Sequence, residues 1–73
     1  MSELKHERES LRLTQQEAAK RMGVRSNTWA RWERGERPMS EPHLRLWARV
    51  ALEAGQEVMK AGERVRASVE ETE

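Results

Sequence analysis

Two stretches decide how this chain of 73 residues folds. They are Leu13-Thr14-Gln15-Gln16-Glu17-Ala18-Ala19-Lys20-Arg21-Met22-Gly23-Val24 and Thr28-Trp29-Ala30-Arg31-Trp32-Glu33-Arg34-Gly35-Glu36-Arg37-Pro38. The first opens with a capping box: the Thr14 hydroxyl can accept from the amide three residues on, while Glu17 reaches back to the Thr14 amide. Ala18, Ala19 and Met22 then form one inner face, and Leu13 with Ala18 can make a small staple across the cap. Gly23 suits a left-handed helix end. In the second stretch Trp29 and Trp32 lie three apart and share a helix face, which reads as packing. Arg25, Ser26, Asn27, Ala30, Arg31 and Arg34 fall largely on the other side. Gly35 stops this helix, and Glu36-Arg37-Pro38 is an exposed loop.

Working outward, a first helix is predicted from about Glu3 to Arg12, with Leu4, Arg8 and Leu11 on one stripe. A fourth helix takes Ser40 as N-cap and Pro42 in its first turn, where a missing amide costs nothing. Leu44, Trp47, Val50 and Ala51 are its expected buried residues. Leu44, Ala51, Val58 and Val65 recur every seven residues, a heptad-like seam interrupted by Gly55 and Gly62. Each interior glycine costs a helix about 1 kcal/mol, so a break or kink near Gly55 is expected. Residues 1–54 then form the main domain, and residues 55–73 form a helical extension for dimerisation or partner binding.

Composition narrows the function. The chain has no Cys, and all 13 of its acidic residues are Glu. That excludes disulfides, thiol catalysis and any Asp-based triad. His6 and His43 have no second ligand type near them except Glu, so no metal site is expected. The serines lack a matched base at a recognisable spacing. The expectation is a protein that is not an enzyme and needs no cofactor. No apolar run approaches a membrane span, and Met1 to Ser10 lacks the apolar core of a secretory signal; a reduced, cytoplasmic setting follows. Residues 1–37 hold nine Lys/Arg and six Glu, a net of +3, whereas residues 38–73 hold five and seven, a net of −2. A basic front and an acidic rear suggest an oriented binding surface.

Two short helices joined through Met22-Gly23-Val24-Arg25 make a helix-turn-helix by length and turn chemistry. Residues 4–52 closely resemble the phage Cro/repressor-type (XRE) helix-turn-helix family. Thr14-Gln15, Gly23-Val24 and Arg31-Trp32-Glu33-x-Gly35 carry the resemblance. It implies a lambda-repressor-like all-α fold of four or five short helices that binds double-stranded DNA as a homodimer. It puts the recognition helix at Ser26 to Arg34, with Arg25, Ser26, Asn27, Ala30 and Arg31 at base-facing positions. Arg31 can grip guanine O6 and N7, and Asn27 can pair with adenine, each such contact giving about 1–3 kcal/mol of discrimination. Thr14, Gln15, Arg34, Gly35 and Arg37 are implied phosphate contacts, with Arg12 and Lys20 as lesser candidates. Arg8 and Glu33 match a structural ion pair of the family.

The chain also departs from the pattern. Arg12 stands where the family has Gly, so the first turn can be built differently. Arg25 stands where Ser or Thr caps the recognition helix; either the helix starts uncapped, or Ser26 or Asn27 caps it and shifts the reading register. Trp47 can serve either the core or a dimer interface formed with Ala51, Val58 and Val65. Self-repression of a phage-type operon through a palindromic operator is the implied role. Two alternatives stand beside it. One is an antitoxin-like regulator whose C-terminal segment binds a protein partner; the other is a helix-turn-helix used only for protein contacts.

Overall fold

The computed structural model describes the backbone of residues 3–71 and the side chains as far as residue 62. Four α-helices follow one another: α1 Glu3–Ser10, α2 Gln15–Met22, α3 Ser26–Glu33 and α4 Glu41–Glu71. Among the described residues there is no strand.

The first three helices end in the same way. After each, the chain steps into the left-handed region at Arg12 (φ 59°), Gly23 (φ 70°) and Gly35 (φ 74°). The next amide returns to a carbonyl five residues back: Leu13 to Arg8, Val24 to Ala19 and Glu36 to Arg31, at 3.0–3.2 Å. This is the Schellman closure, which satisfies carbonyls that a helix end leaves free. The expected first helix therefore stops two residues early, at Ser10, because Leu11 and Arg12 belong to the turn. The capping box forms as read, with the Glu17 amide donating to Thr14 Oγ1 and the Thr14 amide to Glu17 Oε1, both at 3.1 Å.

Tryptophan holds the core together. Trp29 is fully buried, with its ring 4.8 Å from Trp47 and 5.8 Å from Trp32 in tilted and edge-to-face geometry, arrangements that add to plain burial. Leu13, Ala18, Ala19, Met22, Val50 and Ala54 complete the cluster. The paired alanines of α2 leave room for the large ring of Trp29. Trp47 belongs to this monomer core, and its indole N–H donates to Glu7 of α1 at 2.9 Å. It is therefore not available as an interface residue.

Two expectations about α4 are corrected. The helix runs through Gly55 without a break. Its inner face is held on both sides of that glycine: Ala54 lies in the core, Leu11 packs beside Gly55, and Arg21 reaches Glu57 at 2.8 Å. These contacts offset the intrinsic penalty of Gly. Leu44, expected inside, is half-exposed; in the first turn of α4 it is His43 that faces the body, its ring tilted against Trp32 with the centroids 5.0 Å apart.

Candidate nucleic-acid interface

The position of α3 is set by its inner side. Trp29, Trp32 and Glu33 are buried, while Arg25, Ser26, Asn27, Arg31 and Arg34 are exposed and Ala30 is half-buried. The helix begins at Ser26. Arg25 occupies the N-cap position with extended backbone and no side-chain cap bond. Neither Ser26 nor Asn27 takes over as cap, so the register is not shifted. Arg25 is exposed at the start of the helix, and its side chain does not serve the backbone.

Glu33 fixes the far end of α3. Its carboxylate accepts from Arg8 Nε at 2.6 Å and Nη2 at 3.3 Å, from Gln15 Nε2 at 3.1 Å, and from Trp29 Nε1. Arg8 also donates from Nη1 to the Leu13 carbonyl at 2.9 Å. One buried carboxylate thus binds α1, the start of α2 and α3 itself, while Arg8 ties in the α1–α2 turn. Burial pushes the Glu33 carboxyl up, but the hydrogen bonds from Arg8, Gln15 and Trp29 outweigh it and hold the group below its usual range. No buried side-chain polar atom among the described residues lacks a partner, so the network is closed.

The residues expected at phosphates take distinct places. Thr14 caps α2. Gln15 is spent partly inward, on Glu33, which the sequence did not signal because the pairing spans 18 residues. Arg34 is exposed and forks onto Glu36 through Nε at 3.1 Å and Nη2 at 2.8 Å. That bond and the charges of Arg34 and Arg31 lower the Glu36 carboxyl. Asn27, Arg31, Arg34, Glu36 and Arg37 line one shallow, open concavity, so α3 and the loop after Gly35 form a single basic surface with one acidic residue set in it.

A family model described as a helix-turn-helix domain matches residues 2–61. The chain belongs to the helix-turn-helix domain family. No curated protein and no solved structure matches it significantly. The second helix of the helix-turn-helix pair is α3. The match extends past Gly55 into the second half of α4. Among the described residues, no group of three His or Glu side chains could hold a metal ion, and no helix is long and apolar enough to cross a membrane.

The residues expected at a helix-turn-helix dimer interface do not lie on one open face. Trp47 is in the core, Ala51 packs against the core, and Val58 lines a groove with Leu11 and Leu13. Val65 lies outside the residues whose side chains are described. What α4 leaves open is a different stripe, with Leu44 53%, Leu52 66% and Met59 67% exposed.

Proposed function

We propose that this helix-turn-helix protein is a sequence-specific regulator of transcription of the phage Cro/repressor kind. It binds a palindromic operator as a homodimer and represses its own operon. The observation that carries the reading is the division of α3. One side is locked into the body by two tryptophans and the Glu33 network, while the other offers Arg25, Asn27 and Arg31 to solvent beside Arg34 and Arg37. A rigid helix with an open polar side is what major-groove reading needs, because base contacts require side chains held at fixed register.

In this reading Arg31 and Asn27 read base edges, Arg25 and Ser26 enter at the start of the helix, and the half-buried Ala30 offers only a methyl. Gln15, Arg34 and Arg37 contact phosphates, which fix register without reading sequence; the Gly35 amide, expected there too, instead donates to the Trp32 carbonyl at 3.2 Å. One short reading helix makes few base contacts, so two half-sites about 34 Å apart supply the specificity.

Fluorescence anisotropy on the DNA upstream of the protein's own gene tests this, beside a scrambled duplex and across a salt series. Preference of about 10³ or more, steep salt dependence, and loss of preference in Arg31→Ala are expected. Equal, weak binding to both duplexes would remove self-repression. Absence of any salt-sensitive binding would leave a protein-contact role for the fold.

A further inference from the structure

A carboxylate sits where a surface built for DNA has least use for one. Glu36 lines the same open concavity as Asn27, Arg31, Arg34 and Arg37. Its backbone is fixed there, because its amide donates to the Arg31 carbonyl at 3.0 Å and closes the end of α3. One of its oxygens, Oε2, accepts from both Nε and Nη2 of Arg34, at 3.1 and 2.8 Å. Stability does not explain the pair. Both side chains are more than half exposed, and an ion pair that open adds little to a fold. What matters is the edge that Glu36 covers. The Nε–Nη2 edge is the fork with which an arginine takes an oxyanion, and carboxylate and phosphate oxygens fit it alike. The hydrogen bond and charge of Arg34, and then the charge of Arg31, hold the Glu36 carboxyl below its usual range, so it stays ionised at neutral pH.

We propose that Glu36 occupies, in the free protein, the place that a DNA phosphate takes on Arg34, and so limits how tightly the protein holds any duplex. This rests on DNA binding by the α3 surface and names the residue that sets its strength. A phosphate reaching Arg34 must displace the carboxylate, and the displaced charge stays tethered beside the DNA backbone. Arg34 and Glu36 together neutralise no phosphate charge, so this contact releases no counterion. With Glu36 uncharged, Arg34 counts in full. Backbone charge is the same in every sequence, so the limit applies to operator and non-operator DNA alike. A weaker hold on non-operator DNA frees the protein to reach its site among a large excess of other sequence.

Because the effect is independent of sequence, a labelled scrambled duplex measures it. Fluorescence anisotropy of the full chain across a salt series compares wild type, Glu36→Gln, Arg34→Ala and the double variant. One added phosphate contact steepens the slope of log affinity against log salt by about 0.9, so Glu36→Gln should bind about eightfold tighter at 0.1 M salt, the gain vanishing toward 1 M. Most of that gain should disappear when Arg34 is Ala, because the site that Glu36 occupies is then gone. Near-ultraviolet dichroism of the tryptophan core checks that each variant keeps the fold, and a purely structural role would not move the salt slope.

Unchanged affinity and slope in Glu36→Gln would overturn the proposal while leaving DNA binding intact. A gain that persists undiminished in the Arg34→Ala background would also overturn it, since Glu36 would then act as a general negative charge and not through Arg34. Wild type with no salt-sensitive binding to any duplex would remove the DNA-binding reading and this proposal together.

Discussion

Arg8 and Glu33 stand 25 residues apart in the chain and 2.6 Å apart in space, almost entirely removed from solvent. Arg8 lies near the end of α1 and Glu33 ends α3, so the pair determines how α3 sits on the body. Gln15 and Trp29 complete the shell around the same carboxylate. The arrangement is stable only as a set, because a buried charge that loses its partner keeps its desolvation cost.

Removing one partner should therefore cost more than removing both. Arg8→Met is expected to destabilise the domain by about 3 kcal/mol or more, while Arg8→Met with Glu33→Met should recover part of that loss. Since small domains hold only about 5–15 kcal/mol in all, the single variant should unfold at a much lower urea concentration than wild type. Urea denaturation of both single variants and the double variant measures the coupling; simple additivity would show that the pair is not coupled.

The same carboxylate sets an acid limb. Glu33 is held below its usual range in the folded chain, whereas unfolded Glu titrates near 4.3. Its contribution is present above that unfolded value and is lost as pH falls through the lowered folded value. The urea midpoint should drop below about pH 4 in wild type, and the drop should be shallower in Glu33→Gln. An identical acid limb in the variant would assign the acid sensitivity elsewhere.

Arg12 occupies a position that suits glycine. Its φ of 59° is the one positive value outside glycine among the described residues, and an L side chain in that region is strained by about 1–2 kcal/mol. Arg12→Gly should relieve the strain, partly offset by the freer unfolded chain. A net gain of about 0.5–1 kcal/mol is expected, seen as a rise of a few degrees in Tm.

Under the proposed function, Arg25 poses a choice between stability and reading. It sits at the N-cap of α3 and makes no cap bond, where Ser would accept from a free amide and add about 1 kcal/mol. Arg25→Ser should raise Tm and lower affinity for the operator. A variant that is more stable with unchanged affinity would remove Arg25 from the reading surface.

Local chemistry made much of this protein legible in its sequence. The capping box at Thr14, the glycine ends at Gly23 and Gly35, the shared face of Trp29 and Trp32, and the bounds of α2 and α3 all rest on residues within one or two turns of each other. The resemblance added the Arg8–Glu33 pair, which no local pattern contains. Tertiary structure decided the rest. Trp47 went to the core and Leu44 outward because burial depends on where the three-helix body ends beneath α4. The helix crossed Gly55 because Leu11, Ala54 and the Arg21–Glu57 pair hold it on both sides, a sum of distant contacts that outweighs a local penalty. Gln15 turned to Glu33, and Arg34 to Glu36, because a side chain's partner is set by the fold around it and not by its neighbours in the chain.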